Sequence, residues 1–564
     1  MLFSPKKSLQ TPLRSASPWL AWLLIALPVL LFASIALRYV ENIPWYDDVE
    51  MFIVFIQDYY KVDTLHDKIY WLLEPNNEHR ILFAKLAALF TYLTTGHMNF
   101  RGMTLIGNLF LFFSFGLLYT VFRSMRLSVW AFVPVPFILL HPQYFMTISW
   151  SITSLQHPVV LFLSCSVMYL LSRSGRSRFL WAIPLQIFAS VSMSNALFGW
   201  LSGGVILWRQ GHYKRLIIWL VTGVITMILY VQGFTNAQGH GQSLEFLIHK
   251  PHLVIIGFLS FIGGSFDILP LLPYQWRGIL PTIGGLLLVS TALWLISQMS
   301  WPFRRRIAVP DNKSVRAMNN NFFLGCYGLL LINATAVGLL RMRYGYGVML
   351  VSNYMIYPAL LICLLYLNGL QEVSQRQRPV WQRIGMVVGL LIWTMSYFWH
   401  LPEMLFRNKF VLAAAYNQEH NGIGLGGQVG TFLEGYINTA LDGAVKQGYY
   451  VFPESPVADF PVSRDPLPAV VRLANEDTYI IEADGPPEPL DLAYAVLQSP
   501  DHTYLAPTKT PYRLATFWLR RPSTVLQAEL RASDLRTGTY RVGWARSSSA
   551  GKSIQFSDKI IIVR

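Results

Sequence analysis

Two adjacent aspartates near the start of the chain are the residues best suited to chemistry. Asp47 and Asp48 follow the first long apolar segment, residues 19–37. A carboxylate at a water–membrane boundary can act as a general base if its pKa is tuned and a hydroxyl lies within about 3 Å. The alternative is a solvated charged loop. If this segment is extended, the two side chains face opposite sides, so one would be the base and the other would hold neighbouring groups or a metal in place.

The carboxylates around this pair are unusually concentrated. Nine of the 13 acidic residues in the first 400 lie within residues 41–80. Apolar side chains recur at helical spacing from Val49 to Tyr60, which predicts an amphipathic helix on the membrane surface. Residues 65–73 add aromatic side chains suited to the interface. The segment is therefore predicted to place carboxylates just above the lipid headgroups.

A second polar group, Glu78, His79 and Arg80, opens the next apolar stretch. A carboxylate, an imidazole and a guanidinium in sequence can bind a sugar or a phosphate. A helix N-terminus explains Asn77 as the cap and Glu78 as the complement of the dipole. It does not explain Arg80, which is predicted to need an anion or a carboxylate from the same loop.

Two further polar positions interrupt apolar sequence. Gln156 and His157, together with residues 141–144, could line a sugar pocket, or they could form a satisfied interfacial turn. Arg341, Arg343 and Tyr344 lie between two uncharged spans, on the side where cations are not expected. They are predicted to bind a phosphate, and anchoring to lipid headgroups is the alternative.

Composition shows what must position these residues. The chain has 564 residues, of which 53% are hydrophobic and only 13% are charged, whereas soluble domains carry about 25% charge. The net charge is +16 in residues 1–400 and −1 in residues 401–564. The cations cluster between apolar stretches, as in cytoplasmic loops. The sequence therefore predicts a polytopic membrane protein without a nucleic-acid partner.

The charge placement also predicts the topology and the domains. Residues 1–18 form a cytoplasmic N-terminus, 19–401 a helical transmembrane core, and 402–564 an extracytoplasmic domain. We expect about 11 spans, within two of that number, with residues 179–208 as two short helices. The basic connectors between apolar stretches do not all fit a strict alternation between the two sides of the membrane. A re-entrant or interfacial helix is therefore also expected. Gly263-Gly264 is a suitable place for a break.

The C-terminal region has a different pattern. Residues 403–445 look helical and juxtamembrane, and about 450–564 look β-rich. Residues 512–518 and 540–544 alternate with period two, and residues 560–563 are a short apolar run. These segments predict the strands of a small antiparallel, sandwich-like domain. The 12 histidines show no metal-binding spacing, so no zinc site is predicted.

These features together resemble the GT-C class of membrane glycosyltransferases. In that class an acidic residue or pair lies early in the first extracytoplasmic loop, as Asp47 and Asp48 do here. Residues 77–80 look like the Asn-Glu-His-Arg form of a bacterial branch. Arg343 with Ser352-Asn353-Tyr354 is similar to a later Gly-Arg…Ser-Arg-Tyr region of that branch, although Asn353 stands where an arginine is usual. The resemblance implies substrate-binding roles for Arg343 and Tyr354.

The resemblance implies transfer of a sugar from a polyprenyl-phosphate-linked donor to a glycan, lipid or protein acceptor. The enzyme would act at the outer face of the bacterial cytoplasmic membrane, in contact with membrane lipids. Some members bind a divalent metal at the acidic loop, where Mg²⁺ or Mn²⁺ is possible; the expectation is that none is required. The alternatives are a polysaccharide polymerase or ligase using a lipid-diphosphate donor, a lipid or polysaccharide transporter, and a non-enzymatic envelope scaffold.

Overall fold

The protein consists of a helical bundle followed by a β-sheet domain in a computed structural model. The structure describes residues 17–76, 79–173, 175–234, 240–299, 314–484, 492–509, 525–548 and 551–563. The α-helices are α1 Pro18–Tyr39, α2 Phe55–Lys61, α3 Leu65–Leu73, α4 Leu82–Thr95, α5 Phe100–Ser124, α6 Pro134–Leu139, α7 Phe145–Ser149, α8 Ser151–Ser172, α9 Arg176–Ser190, α10 Phe198–Arg209, α11 Tyr213–Val231, α12 His240–His249, α13 Pro251–Ile262, α14 Tyr274–Arg277, α15 Ile279–Gln298, α16 Val315–Arg341, α17 Ile356–Glu372, α18 Arg378–Asn421 and α19 Phe432–Lys446. The strands are β1 Val470–Asn475, β2 Thr478–Asp484, β3 Leu492–Gln498, β4 Thr503–Lys509, β5 Val525–Arg531, β6 Gly538–Ser548 and β7 Gly551–Val563.

The bundle confirms a multi-pass helical protein. Within the described residues nine helices are long and apolar enough to cross a membrane, or ten if the bent pair α12–α13 counts as one span. This count lies within two of the 11 expected. One apolar stretch of the sequence falls short of a span, because α4 has only 14 residues and a span needs about 20. The prediction of two short helices within residues 179–208 is confirmed by α9 and α10.

The acidic segment folds differently from the prediction in its first half. Val49–Val54 is a π-helix that leads into α2, and Val49, Phe52, Ile53 and Ile56 are buried in a core shared with α19. Their apolar face was predicted to lie on the membrane surface. It contacts protein instead, because α19 covers it. In α3, by contrast, no residue is buried, so this helix retains the exposed amphipathic face expected at an interface.

A break follows α13, as the glycine pair predicted. Gly263 ends the helix, and a Cβ on Gly263 would lie 1.9 Å from the Pro281 carbonyl oxygen. A Cβ on Gly285 would lie 1.8 Å from the Leu259 carbonyl oxygen. Only glycine allows such an approach of two helix backbones. The close crossing of α13 and α15 fixes where the connecting residues 263–278 lie.

The C-terminal domain is one antiparallel sheet and not the two stacked sheets of a sandwich. Its seven described strands run in the order β1-β2-β5-β4-β3-β6-β7 and curve into a half-barrel. The strands predicted at residues 540–544 and 560–563 are confirmed as β6 and β7. The strand predicted at residues 512–518 lies outside the described residues. Alternation along a strand shows which face is buried but does not distinguish a curved sheet from a sandwich.

The last bundle helix joins the two parts without interruption. Helix α18 has 44 residues and passes through residue 402, where the domain boundary was expected. Near its end, the Asn417 amide donates to the Leu505 carbonyl oxygen (2.9 Å) and accepts from the Leu505 N–H (2.8 Å). Asn421 donates to the carbonyl oxygen of Thr503 at 2.7 Å. Strand β4 is therefore bound to the helix, and the bundle end that meets the sheet is here called the domain end.

Candidate functional site

Asp48 is buried at the domain end and binds backbone groups. Its side chain is fully inaccessible and accepts from the Trp45 N–H and the Ile152 N–H, each at 3.0 Å. Ile152 lies in the first turn of α8, so Asp48 caps that helix from a distant segment. Burial raises the pKa of Asp48 well above its usual range, and the two N–H donors and the nearby Arg407 oppose this rise.

Arg407 completes the surroundings of Asp48. The guanidinium is buried, donates to the Ser149 hydroxyl at 3.1 Å, and lies near the rings of Trp45 and Trp150 at 5.6 and 5.9 Å. The Trp150 indole N–H also donates to the Trp45 carbonyl oxygen at 3.0 Å. Asp48 and Arg407 thus lie near each other in a buried region. Neither side chain is positioned to contact an acceptor substrate in solution.

Asp47 has the opposite environment. Its side chain is exposed, yet partial burial raises its pKa from the ordinary aspartate value. The preceding residue, Tyr46, has φ of 45°, a strained value for a non-glycine residue that often marks functional sites. Asp48 has helical backbone angles, so the extended segment assumed from the sequence is wrong. The two side chains nevertheless differ in environment, since Asp47 is exposed and Asp48 accepts hydrogen bonds from the Trp45 and Ile152 N–H groups. Which of them acts as a base stays a prediction.

His79 and Arg80 lie close to the bundle, while Glu78 is outside the described residues. His79 Nδ1 is 2.8 Å from the Ser194 hydroxyl. The Arg80 guanidinium donates to the carbonyl oxygens of Leu73, Leu229, Tyr230 and Gln232. It therefore binds the C-terminal ends of α3 and α11, where cations are favourable. Carbonyl oxygens, and not the expected carboxylate, satisfy Arg80, and its role in binding substrate stays a prediction.

His157 belongs to a buried polar chain. Its Nδ1 atom is 2.8 Å from the Tyr357 hydroxyl, which also accepts from the Asn195 amide at 2.9 Å. Asn195 is next to Ser194, so this chain continues to His79. The Tyr354 ring packs edge-on against His157 at 5.8 Å. Gln156 is buried on the same helix.

The cationic loop after α16 forms a separate, more exposed surface. Arg343 donates to the Gln242 side chain at 3.2 Å and to the Tyr344 hydroxyl at 2.5 Å, and its guanidinium lies 4.6 Å from the Tyr344 ring centre. Tyr344 is 58% exposed. Arg341 is the last residue of α16. None of these three residues lines the cavity described next, and their binding of a phosphate stays a prediction.

That main cavity lies at the domain end and has a volume of about 470 Å³. It is enclosed by α7, by the connections 263–278 and 350–355, and by α18. Polar side chains line one part of it, from residues Gln143, Asp267, Arg277, Ser352, Asn353, His400 and Glu403. The volume falls within the range of ligand pockets, about 300–1,000 Å³. The cavity is therefore the strongest candidate for a substrate site.

A buried ion pair stands in the cavity wall. Arg277 Nε lies 2.9 and 3.0 Å from the two Asp267 carboxylate oxygens, and Nη2 lies 2.5 Å from Oδ2. The two side chains are 16% and 2% exposed. The pairing is bidentate, which fixes the guanidinium plane. Burial raises the pKa of Asp267, and the Arg277 guanidinium opposes that rise.

Sequence reasoning missed Asp267, Arg277, His400 and Glu403. One signal was available for the first two, because they flank the glycine and proline residues where a helix break was predicted. Charged residues beside such a break can face a cavity. His400 and Glu403 have no comparable signal, because they lie within one long helix.

A metal site is not evident in the structure. Among the described residues no group of three or more His, Cys, Asp or Glu side chains could hold a metal ion, and Mg²⁺ or Mn²⁺ at the acidic loop stays a prediction.

Comparison with known proteins adds no identification. No protein-family model matches the chain, and no curated protein or solved structure matches it significantly. The site is therefore interpreted from its own geometry.

Proposed function

We propose that this chain is a membrane glycosyltransferase that moves a sugar from a polyprenyl-phosphate-linked donor to a glycan, lipid or protein acceptor. One observation carries the proposal: a cavity of about 470 Å³ with a polar wall opens among apolar helices at the domain end. A lipid-linked substrate needs apolar helices for its chain and a polar cavity for its head. By charge placement the domain end faces the outside of the bacterial cytoplasmic membrane.

The acidic segment supports the same proposal. Asp47 is the proposed general base for the acceptor hydroxyl, because it is exposed and its pKa is raised. Asp48 is a positioning residue that attaches this segment to α8 through Ile152. The exposed helix α3 provides amphipathic surface at the membrane boundary. The cationic loop with Arg341 and Arg343 is the proposed contact for the donor phosphate, whose leaving group is stabilised by cations.

The test compares aspartate-to-asparagine variants at matched expression. Asp47→Asn keeps the shape of the side chain but removes basicity, so the transfer rate should fall about 10²–10⁴-fold. Asp48→Asn should cost less, and Asp58→Asn is the matched control because Asp58 lies in the same segment and pairs with Lys61 at 2.7 Å. The measurement is mass spectrometry of envelope glycans over time, in a deletion strain complemented with each variant.

The outcomes separate the proposal from its alternatives. Loss of a single sugar substituent in the deletion strain supports glycosyl transfer from the proposed donor. Shortened polymers would support a polymerase or ligase. Wild-type transfer rates in both Asp47→Asn and Asp48→Asn would show that the acidic segment takes no part in the reaction. Because the base must be deprotonated, activity should also decline as the pH falls through a pKa above the ordinary aspartate value, and this acid limb should be absent from the residual activity of Asp47→Asn.

A further inference from the structure

The exposed aspartate at the domain end is carried on a short, strained turn. The Asp48 N–H donates to the Trp45 carbonyl oxygen at 3.0 Å, so Tyr46 and Asp47 are the two central residues of this turn, here called turn 45–48. Tyr46 has φ of 45°, and such a conformation persists only where the surrounding structure enforces it. Because Tyr46 and Asp47 are both exposed, the support must come through the two residues that close the turn.

Both closing residues of turn 45–48 are bound from outside. The Trp45 carbonyl oxygen also accepts from the Trp150 indole N–H at 3.0 Å, and the Asp48 carboxylate accepts from the Ile152 N–H at 3.0 Å. The Arg407 guanidinium lies over the rings of Trp45 and Trp150, at 5.6 and 5.9 Å from their centres. Desolvation strengthens such contacts between a cation and aromatic rings, and Arg407 is only 8% exposed.

The same arginine also connects the turn to the main cavity. Its Nε atom donates to the Ser149 hydroxyl at 3.1 Å, and the Ser149 hydroxyl donates to the Phe145 carbonyl oxygen at 2.7 Å. Phe145 lines the cavity, and so does Glu403, which lies about one helical turn from Arg407 on α18. One buried side chain therefore contacts both the support of Asp47 and the elements that form the cavity wall.

We infer that Arg407 is a positioning residue that holds turn 45–48, and with it Asp47, in a fixed place relative to the main cavity. This inference rests on the proposed function, in which Asp47 is the general base. A misplacement of about 1 Å can cost about 10²-fold in rate, so an exposed base on a turn needs a rigid support. Asp48 attaches the turn to α8, and Arg407 attaches it to α7 and α18.

The first experiment follows the turn without any transfer reaction. Hydrogen–deuterium exchange is measured by mass spectrometry on the full chain in lipid nanodiscs, with peptides that cover residues 45–49. Arg407→Met keeps an apolar side chain beside the indole rings but removes the guanidinium and its hydrogen bond. Exchange of these amides should become about 10-fold faster, because the turn then opens more often. Arg407→Lys gives a second reading if Arg407→Met fails to fold.

A second buried arginine supplies the matched control. Arg173 is also 8% exposed, lies 4.7 Å from the Tyr169 ring centre and donates to Asn319 at 2.8 Å. It follows the opposite end of α8 from the one that Asp48 caps. Arg173→Met should therefore leave exchange at residues 45–49 unchanged. Equal exchange of this peptide in the wild type and both Arg407 variants, or the same increase in Arg173→Met, would overturn the inference.

The second experiment asks whether Arg407 acts through Asp47. Transfer rates are compared at matched expression in the wild type, Arg407→Lys, Asp47→Asn and the double variant. Lysine keeps the charge but loses the planar fork, so Arg407→Lys should lower the wild-type rate about 10-fold. It should lower the residual rate of Asp47→Asn little or not at all, because residues that act as a unit are not additive. Equal fold-losses in both backgrounds would mean a general effect on the fold and would contradict the inference.

The two proposals fail in different ways. Faster exchange of the turn in Arg407→Met, together with wild-type transfer in Asp47→Asn, would keep the support of the turn by Arg407 and reject Asp47 as the base. Unchanged exchange in Arg407→Met, in a chain whose transfer rate depends on Asp47, would keep the proposed transferase and reject the role of Arg407.

Discussion

The acidic segment 41–80 and the connection 263–278 use carboxylates in opposite ways. The first holds nine acidic residues, yet of its described carboxylates only Asp48 is buried. The second holds a single acidic residue, Asp267, which is buried and paired with Arg277. A high density of charge in sequence therefore marks a solvated surface, whereas an isolated charge in an apolar stretch marks a position that the fold has organised.

The largest effect is expected at the isolated pair. Arg277→Met leaves the Asp267 carboxylate buried without its partner, and breaking such a pair costs about 3–5 kcal/mol. The thermal unfolding midpoint of the chain in nanodiscs should fall accordingly. The double variant Asp267→Leu/Arg277→Met should recover much of the loss, because no buried charge is left. Equal losses in the single and double variants would mean that the pair is not coupled as the structure indicates.

A smaller effect is expected at the one buried carboxylate of the acidic segment. Asp48→Ala removes the cap of α8 and leaves Arg407 without its nearby anion, so stability should fall by about 1–3 kcal/mol. Asp47→Ala is the control and should leave the unfolding midpoint near that of the wild type, because Asp47 is exposed. A similar shift of the unfolding midpoint in both variants would show that the two aspartates contribute equally to stability, against this prediction.

The smallest effect is expected at the solvated carboxylates. Asp58 and Lys61 form an ion pair of 2.7 Å, with side chains 22% and 63% exposed. Solvent screens such pairs, so Lys61→Ala should change stability by less than about 0.5 kcal/mol. A shift as large as that of Asp48→Ala would show that the acidic segment is held by its surface charges and not by its buried face.

The sequence predicted the parts that depend on local pattern. Apolar length and helical spacing identified most of the bundle, and period-two alternation identified β6 and β7. The contacts that define the candidate site are of another kind. Asp48 caps a helix that begins more than 100 residues later, and the cavity joins segments near residues 143, 267, 353 and 403. Local periodicity contains no information about which distant segments meet, so these contacts could not be predicted from it.

The continuous helix α18 also constrains how this chain can vary in length. Glu403 lines the cavity and Asn417 binds β4, and both lie on the same unbroken helix. Each residue advances an α-helix by about 100° and 1.5 Å. Deletion of one residue between them would turn the Asn417 face away from β4 while leaving the cavity wall in place. Insertions and deletions in this stretch are therefore compatible with the fold only in steps close to whole helical turns, so the junction fixes the angular phase between bundle and sheet.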